Sequence, residues 1–159
     1  MKLQFDPNQD YQLDAINAVC DIFRGQEICR TEFTVTTDAA DAQMRMQFAE
    51  NDLGIGNRLT LVDEELLQNL NEIQLRNGLP QSTTLDSGDF TVEMETGTGK
   101  TYVYLRTIFE LNRRYGFTKF VIVVPSVAIK EGVSHTIEIA AEHLKGLYGG
   151  VPFDHFIYD

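Results

Sequence analysis

Residues 90–101 read Phe90-Thr91-Val92-Glu93-Met94-Glu95-Thr96-Gly97-Thr98-Gly99-Lys100-Thr101. Phe90 to Met94 is a short β-branched and aromatic run, which predicts a strand. A glycine-rich turn, Met94 to Thr101, follows, and a helix is expected from about Gly99 to Tyr115, ended by Gly116. This strand, turn and helix form the setting in which backbone N–H groups can hold phosphate oxygens. Gly97 and Gly99 let the chain bend and let its backbone approach an anion closely. The positive end of the following helix favours the same anion. Lys100 would bring a cation to the β and γ phosphates, and the Thr101 hydroxyl would ligate Mg²⁺. The expected ligand is therefore ATP with Mg²⁺, held by Glu95, Thr96, Gly97, Thr98, Gly99, Lys100 and Thr101. The common pattern of such loops starts with glycine, whereas position 94 here is Met.

Beyond the loop, Lys119-Phe120-Val121-Ile122-Val123-Val124 is an apolar run of the kind found in a strand buried on both faces. Pro125 stops it, and a helix is predicted over about 127–146, ending near Gly146. The order strand, helix, strand, helix predicts an α/β fold with a parallel sheet and right-handed crossovers. Upstream, Asp6-Pro7 looks like a helix start, and apolar residues at Leu13, Ile16, Val19, Ile22 and Phe23 recur at helical spacing, predicting a helix over about 7–24 with Gly25 as its stop. Thr31 to Thr37 could be a strand and 39–50 a short amphipathic helix. Leu66, Leu67, Leu70, Ile73 and Leu75 mark a helix over about 63–77, and Gln81 to Gly88 reads as a loop.

With 159 residues the chain suffices for one domain with a real core. The net charge of −11 means that a nucleic-acid machine built on this chain must take most of its grip from elsewhere. No apolar run approaches the ~20 residues of a membrane span, and Met1 to Asp6 has no signal core. Cys20 and Cys29 lack CxxC spacing and are expected to be reduced, partly buried thiols. On an ideal helix His135 and His143 would lie about 80° apart with no completing ligand. They and His155 are read as solvated or capping histidines rather than a metal site.

The Thr-Gly-Thr-Gly-Lys-Thr core, Thr96 to Thr101, resembles that of superfamily-two helicases and translocases. The longer string from Val92 to Thr107 resembles the Res subunit of type III restriction enzymes, where Met takes the position of Met94. Asp10-Tyr11-Gln12-Leu13-Asp14-Ala15-Ile16 resembles the upstream adenine-recognition motif of superfamily-two enzymes. Alone, Gln12 would read as an exposed helix residue; beside the loop, the resemblance makes it the adenine reader. Phe120 to Val133 is similar to the family's next motif, which implies contacts from Pro125, Ser126 and Lys130 to a nucleic-acid backbone. A plain strand end and helix cap explains the same residues equally well.

The resemblance implies a partial RecA-like domain: an adenine-motif helix over 1–26, an insertion over 27–88 and a strand-helix-strand-helix core over 89–159. It further implies a restriction subunit that uses ATP hydrolysis for DNA translocation or communication before endonuclease cleavage. The implied partners are double-stranded DNA and a modification methyltransferase (Mod) subunit, and the implied location is the bacterial cytoplasm. No adjacent Asp-Glu pair follows Thr101. Leu59 to Glu64 has that look but precedes the loop, and is read as a helix start with acids in its first turn. The expectation is an N-terminal piece of a larger enzyme that binds nucleotide weakly and does not turn it over alone. Alternatives are another superfamily-two DNA helicase, a P-loop nucleotide-binding module, or an interaction domain that docks a partner through the acidic middle.

Overall fold

In a computed structural model of the chain, residues 6–28 and 57–158 are described. The expected strand at 31–37, the expected helix at 39–50 and Cys29 lie outside them. Four helices are found among the described residues: α1, Asp10–Asp21; α2, Asp63–Arg76; α3, Lys100–Tyr115; and α4, Val127–Leu147. α1 and α2 lie where apolar periodicity placed a helix, and α3 and α4 where the glycine loop and Pro125 predicted one to follow, with shifted ends. Asp6 does not cap α1. Its carboxylate accepts from the Asn8 amide at 3.0 Å, forming a local turn, and the helix starts three residues later behind Gln9. Asp63, Glu64 and Glu65 form the first turn of α2, as acids before a helix should. As expected, α4 ends next to Gly146, at Leu147, and the left-handed turn follows at Gly149 and Gly150, with φ of +66° and +78°.

The middle of the body is α3. Its apolar residues go both ways, which is why it is buried nearly all round. Val103, Leu111 and Tyr115 pack with Ile16 and Cys20 of α1 and with Phe117. Tyr102, Leu105 and Phe109 pack with Ala140, Leu144 and Tyr148 at the end of α4. The second helix, α2, covers the far side of α1 through Leu66 and Ile73 against Ile22. Asn69 of α2 donates to the carbonyls of Ile22 and Arg24 and so satisfies the end of α1. The later half of the expected insertion is thus part of the body.

The expected parallel sheet is not seen among the described residues. Segments 90–94 and 119–124 carry no strand pairing. Nor is the second run buried on both faces: Val121 is 89% and Val123 88% exposed. A strand is defined by its ladder, and without neighbours an apolar run has neither hydrogen-bond partners nor cover. The 119–124 run is held at its start by Asn57, whose side chain accepts from the Thr118 and Lys119 amides and donates to the Lys119 carbonyl at 2.7 Å.

A charged network lies within this apolar frame. Glu110 of α3 has a side chain only 7% exposed, paired to Arg113 at 2.7 Å and Arg114 at 3.2 Å. Arg114 reaches Asn17 and Asp21 of α1, and Asp21 also pairs with Arg76 of α2. Burial pushes the Glu110 carboxyl up, but the Tyr148 hydroxyl and the two arginines more than offset this, leaving it below the ordinary 4.5. A carboxylate lowered on folding contributes stability above its ordinary pKa and loses it as pH falls through the folded value. We expect urea unfolding midpoints to fall below about pH 4.5, and Glu110→Gln to flatten that part of the profile at a cost of about 1–2 kcal/mol at pH 7.

Cys20 is fully buried rather than partly so, and it is free. Burial, above all, raises its thiol to about 12, against the lowering charge of Arg114. It stays a protonated, unreactive core residue at neutral pH.

Candidate nucleotide site

The glycine loop has the backbone its sequence requires. Gly97 and Gly99 both have φ of +83°, in the left-handed region that side chains disfavour. Gly99 is also the residue before the first turn of α3, so the loop delivers the free amides of that helix to its open side. The Glu95 carbonyl closes the turn, accepting from the Thr98 hydroxyl at 2.7 Å and from the Lys100 ammonium at 2.8 Å. Apart from the half-buried Thr98, residues 95–100 are exposed. Thr101 is half-buried, at the start of the helix.

Gln12 is not an exposed helix residue. It is 6% exposed, and its side-chain amide donates to the Thr98 carbonyl at 2.9 Å. Its Oε1 is buried without a hydrogen-bond partner. A buried amide oxygen without a donor is costly and is the feature a donor-bearing ligand would satisfy. The helix that resembled the adenine motif is therefore in direct contact with the loop, although Gln12 and Thr98 are 86 positions apart in sequence. A Cβ on Gly99 would come within 2.9 Å of the Gln12 amide nitrogen. Gly99→Ala therefore adds backbone strain and displaces Gln12. We expect a loss of about 1–2 kcal/mol of stability with the helical circular dichroism retained, and weakened nucleotide binding.

The other singled-out residues are placed apart from the loop. Pro125 and Ser126 are exposed and Lys130 is half-buried. Ser126 is the cap of α4: its hydroxyl accepts from the Ile129 amide at 3.3 Å. That geometry accounts for Ser126 without a ligand. His135 and His155 are exposed, as expected, but His143 is not a solvated or capping residue. Its ring shares a 2.8 Å hydrogen bond with the Tyr102 hydroxyl, and burial, helped by Arg106, lowers its pKa. No sequence signal points to this pair, which joins α3 to α4. Also missed were Arg106 and Tyr148. Arg106 is 9% exposed and donates to the Tyr148 hydroxyl and the Pro7 carbonyl. The available signal was the i, i+4 series Arg106, Glu110, Arg114 along one stripe of α3.

The residues fit a nucleoside triphosphate: a left-handed glycine cradle, a helix start, an exposed lysine ammonium and an unsatisfied amide oxygen beside it. The glycine loop and the helix it opens are those of the P-loop class. The family described as type III restriction enzyme, res subunit, matches residues 7–147, and the chain belongs to it. That domain is a RecA-like, helicase-like ATPase domain, a class that in general depends on nucleotide and Mg²⁺.

Curated relatives agree. The chain is 39% identical over 95 residues to the type III restriction-modification enzyme EcoP15I Res subunit of Escherichia coli, covering 57% of this chain and 10% of that protein. It is 36% identical over 99 residues to the EcoPI Res subunit of Escherichia phage P1, covering 59% and 10%. It is 51% identical over 65 residues to the StyLTI Res subunit of Salmonella typhimurium, covering 40% and 7%. The chain thus spans about a tenth or less of the length of these relatives. No helix among the described residues is long and apolar enough to cross a membrane.

Proposed function

We propose that this chain is the ATP-binding part of the DNA-translocating restriction subunit of a type III restriction enzyme. One observation carries this most: in a chain of this family, Gln12 is buried against the left-handed Gly97–Gly99 turn. The amides of residues 95–101 and the Lys100 ammonium hold the phosphates, the Thr101 hydroxyl ligates Mg²⁺, and the Gln12 amide reads the adenine edge. Lys100 leaves the Glu95 carbonyl to do so, and that carbonyl keeps its bond from Thr98. In the whole protein, bound ATP supplies the free energy for DNA translocation or communication before cleavage. Double-stranded DNA and the modification methyltransferase are its partners, in the bacterial cytoplasm. Pro125, Ser126 and Lys130 touch the DNA backbone, Ser126 while still capping α4. The net charge of −11 puts most of the DNA grip on other parts of the enzyme.

Phosphoryl transfer depends on positioning and electrostatics, and no Asp-Glu pair follows Thr101 to hold the metal's water shell and polarise an attacking water. The chain alone therefore binds ATP–Mg²⁺ without hydrolysing it. Phosphate release measured on the purified chain, with and without double-stranded DNA, should stay at the buffer background. Turnover abolished by Lys100→Ala would contradict this division of labour. Chelating Mg²⁺ should weaken ATP binding.

A further inference from the structure

We propose that Arg106 is a positioning residue for the base-reading end of the nucleotide site. It holds the lead-in of α1, and with it Gln12, at a fixed place on α3. This rests on the proposed role of Gln12.

Arg106 lies on α3 downstream of Lys100 and is 9% exposed. One guanidinium nitrogen donates to the Pro7 carbonyl, at 2.5 Å, across 99 residues of sequence. Nε donates to the Tyr148 hydroxyl at 3.3 Å. Tyr148 in turn donates to Glu110 at 2.8 Å and stacks on Phe109 with ring centroids 5.1 Å apart. The guanidinium is thus fixed from behind by α3 and by the C-terminal end of α4, and its free edge is spent on one backbone carbonyl.

That carbonyl belongs to a segment, residues 6–9, that has no helix of its own. Gln9 follows two residues later, and its carbonyl accepts the Gln12 and Leu13 amides that open α1. Where Pro7 sits therefore sets the first turn of α1, and the first turn carries the Gln12 side chain to Thr98. A guanidinium presents its donors in a rigid fork, so it fixes direction as well as distance. Burying a charge is expensive where apolar packing alone would serve, and here it is directed at one carbonyl. The phosphate cradle is built from residues 95–101 and is closed by the Thr98 and Lys100 bonds to the Glu95 carbonyl; Gln12 bonds it at the Thr98 carbonyl alone. Loss of Arg106 should uncouple the two halves of the site: the base is read less well while the phosphates are held as before.

The test compares ATP, GTP and inorganic tripolyphosphate, each with Mg²⁺, by titration calorimetry on the purified chain and on Arg106→Gln, Arg106→Lys and Tyr148→Phe. Circular dichroism checks the fold of each. Arg106→Gln should weaken ATP about tenfold and leave tripolyphosphate within about twofold. Arg106→Lys, which keeps a cationic donor, should recover part of the loss. If Arg106→Gln does not fold, Tyr148→Phe carries the test, since it keeps the guanidinium but frees its grip; the same selective loss is expected, smaller. Equal weakening of ATP and tripolyphosphate in a folded variant, or no change in ATP, would overturn the inference.

Amide hydrogen exchange separates this from failure of the nucleotide reading. Arg106→Gln should speed exchange at Gln12 and Leu13 relative to the interior of α3, with no ligand present. Faster exchange in a chain that binds neither ATP nor tripolyphosphate would sink the nucleotide reading and keep the clamp. Unchanged exchange in a folded variant would sink the clamp itself.

Discussion

Lys100→Ala weakens the binding of ATP–Mg²⁺ by about 2–3 kcal/mol, roughly 30- to 150-fold in Kd, and leaves the fold alone. The size follows from what is removed. A charge-assisted hydrogen bond to a phosphate, next to a helix start, is among the stronger single contacts a site can offer. Its specificity follows from the loop. The Lys100 ammonium donates to the Glu95 carbonyl, but so does the Thr98 hydroxyl, at 2.7 Å. Removing the lysine leaves that carbonyl satisfied, so the turn keeps its shape. Calorimetry for affinity, with urea unfolding alongside, checks both halves. A variant that binds as tightly as the parent would remove the loop from the site. One that loses stability as much as affinity would make Lys100 a structural residue.

Ile16→Ala is the corresponding test of the frame. Ile16 is 2% exposed, in the cluster that joins α1 to Val103, Leu111 and Tyr115. Truncation removes buried methyl groups and leaves a cavity, because Tyr115 is tied by its hydroxyl to the Cys20 carbonyl and cannot simply collapse inward. A cost of about 3 kcal/mol is expected, a drop in Tm of roughly 10 °C. Gln12 lies one turn before Ile16, so ATP affinity should fall with it. Thermal unfolding and calorimetry on the same sample measure both. A loss under about 1 kcal/mol would show that α1 is not packed on α3 as described.

The parts of this molecule that were legible in its sequence are those set by local rules. Apolar residues at 3.6-residue spacing located α1 and α2, and the glycine turn, Gly116 and Pro125 located α3 and α4. The glycines at 97, 99 and 116 took the left-handed conformations that their places in a loop and at a helix end require. What was not legible depends on long-range contact. The run 119–124 has strand composition, but composition cannot supply a neighbour, and among the described residues it has no ladder. Gln12 was ambiguous because a lone amide in a helix says nothing of what lies over it; its burial comes from a loop 86 residues away. Arg106, Glu110 and Arg114 drew no reading from the sequence, since an i, i+4 series of charges does not say what lies over it. They are sheltered because both faces of α3 are covered, by α1 and by α4.

The most direct test of the central claim is an amide chemical-shift titration of the ¹⁵N-labelled chain with ATP–Mg²⁺, which reads weak binding residue by residue. The account predicts saturating shifts at the backbone amides of residues 95–101 and at the Gln12 side-chain amide, with little change around His135 on α4. Unmoved amides at Gly97, Gly99 and Lys100 while resonances elsewhere respond to ATP would contradict it.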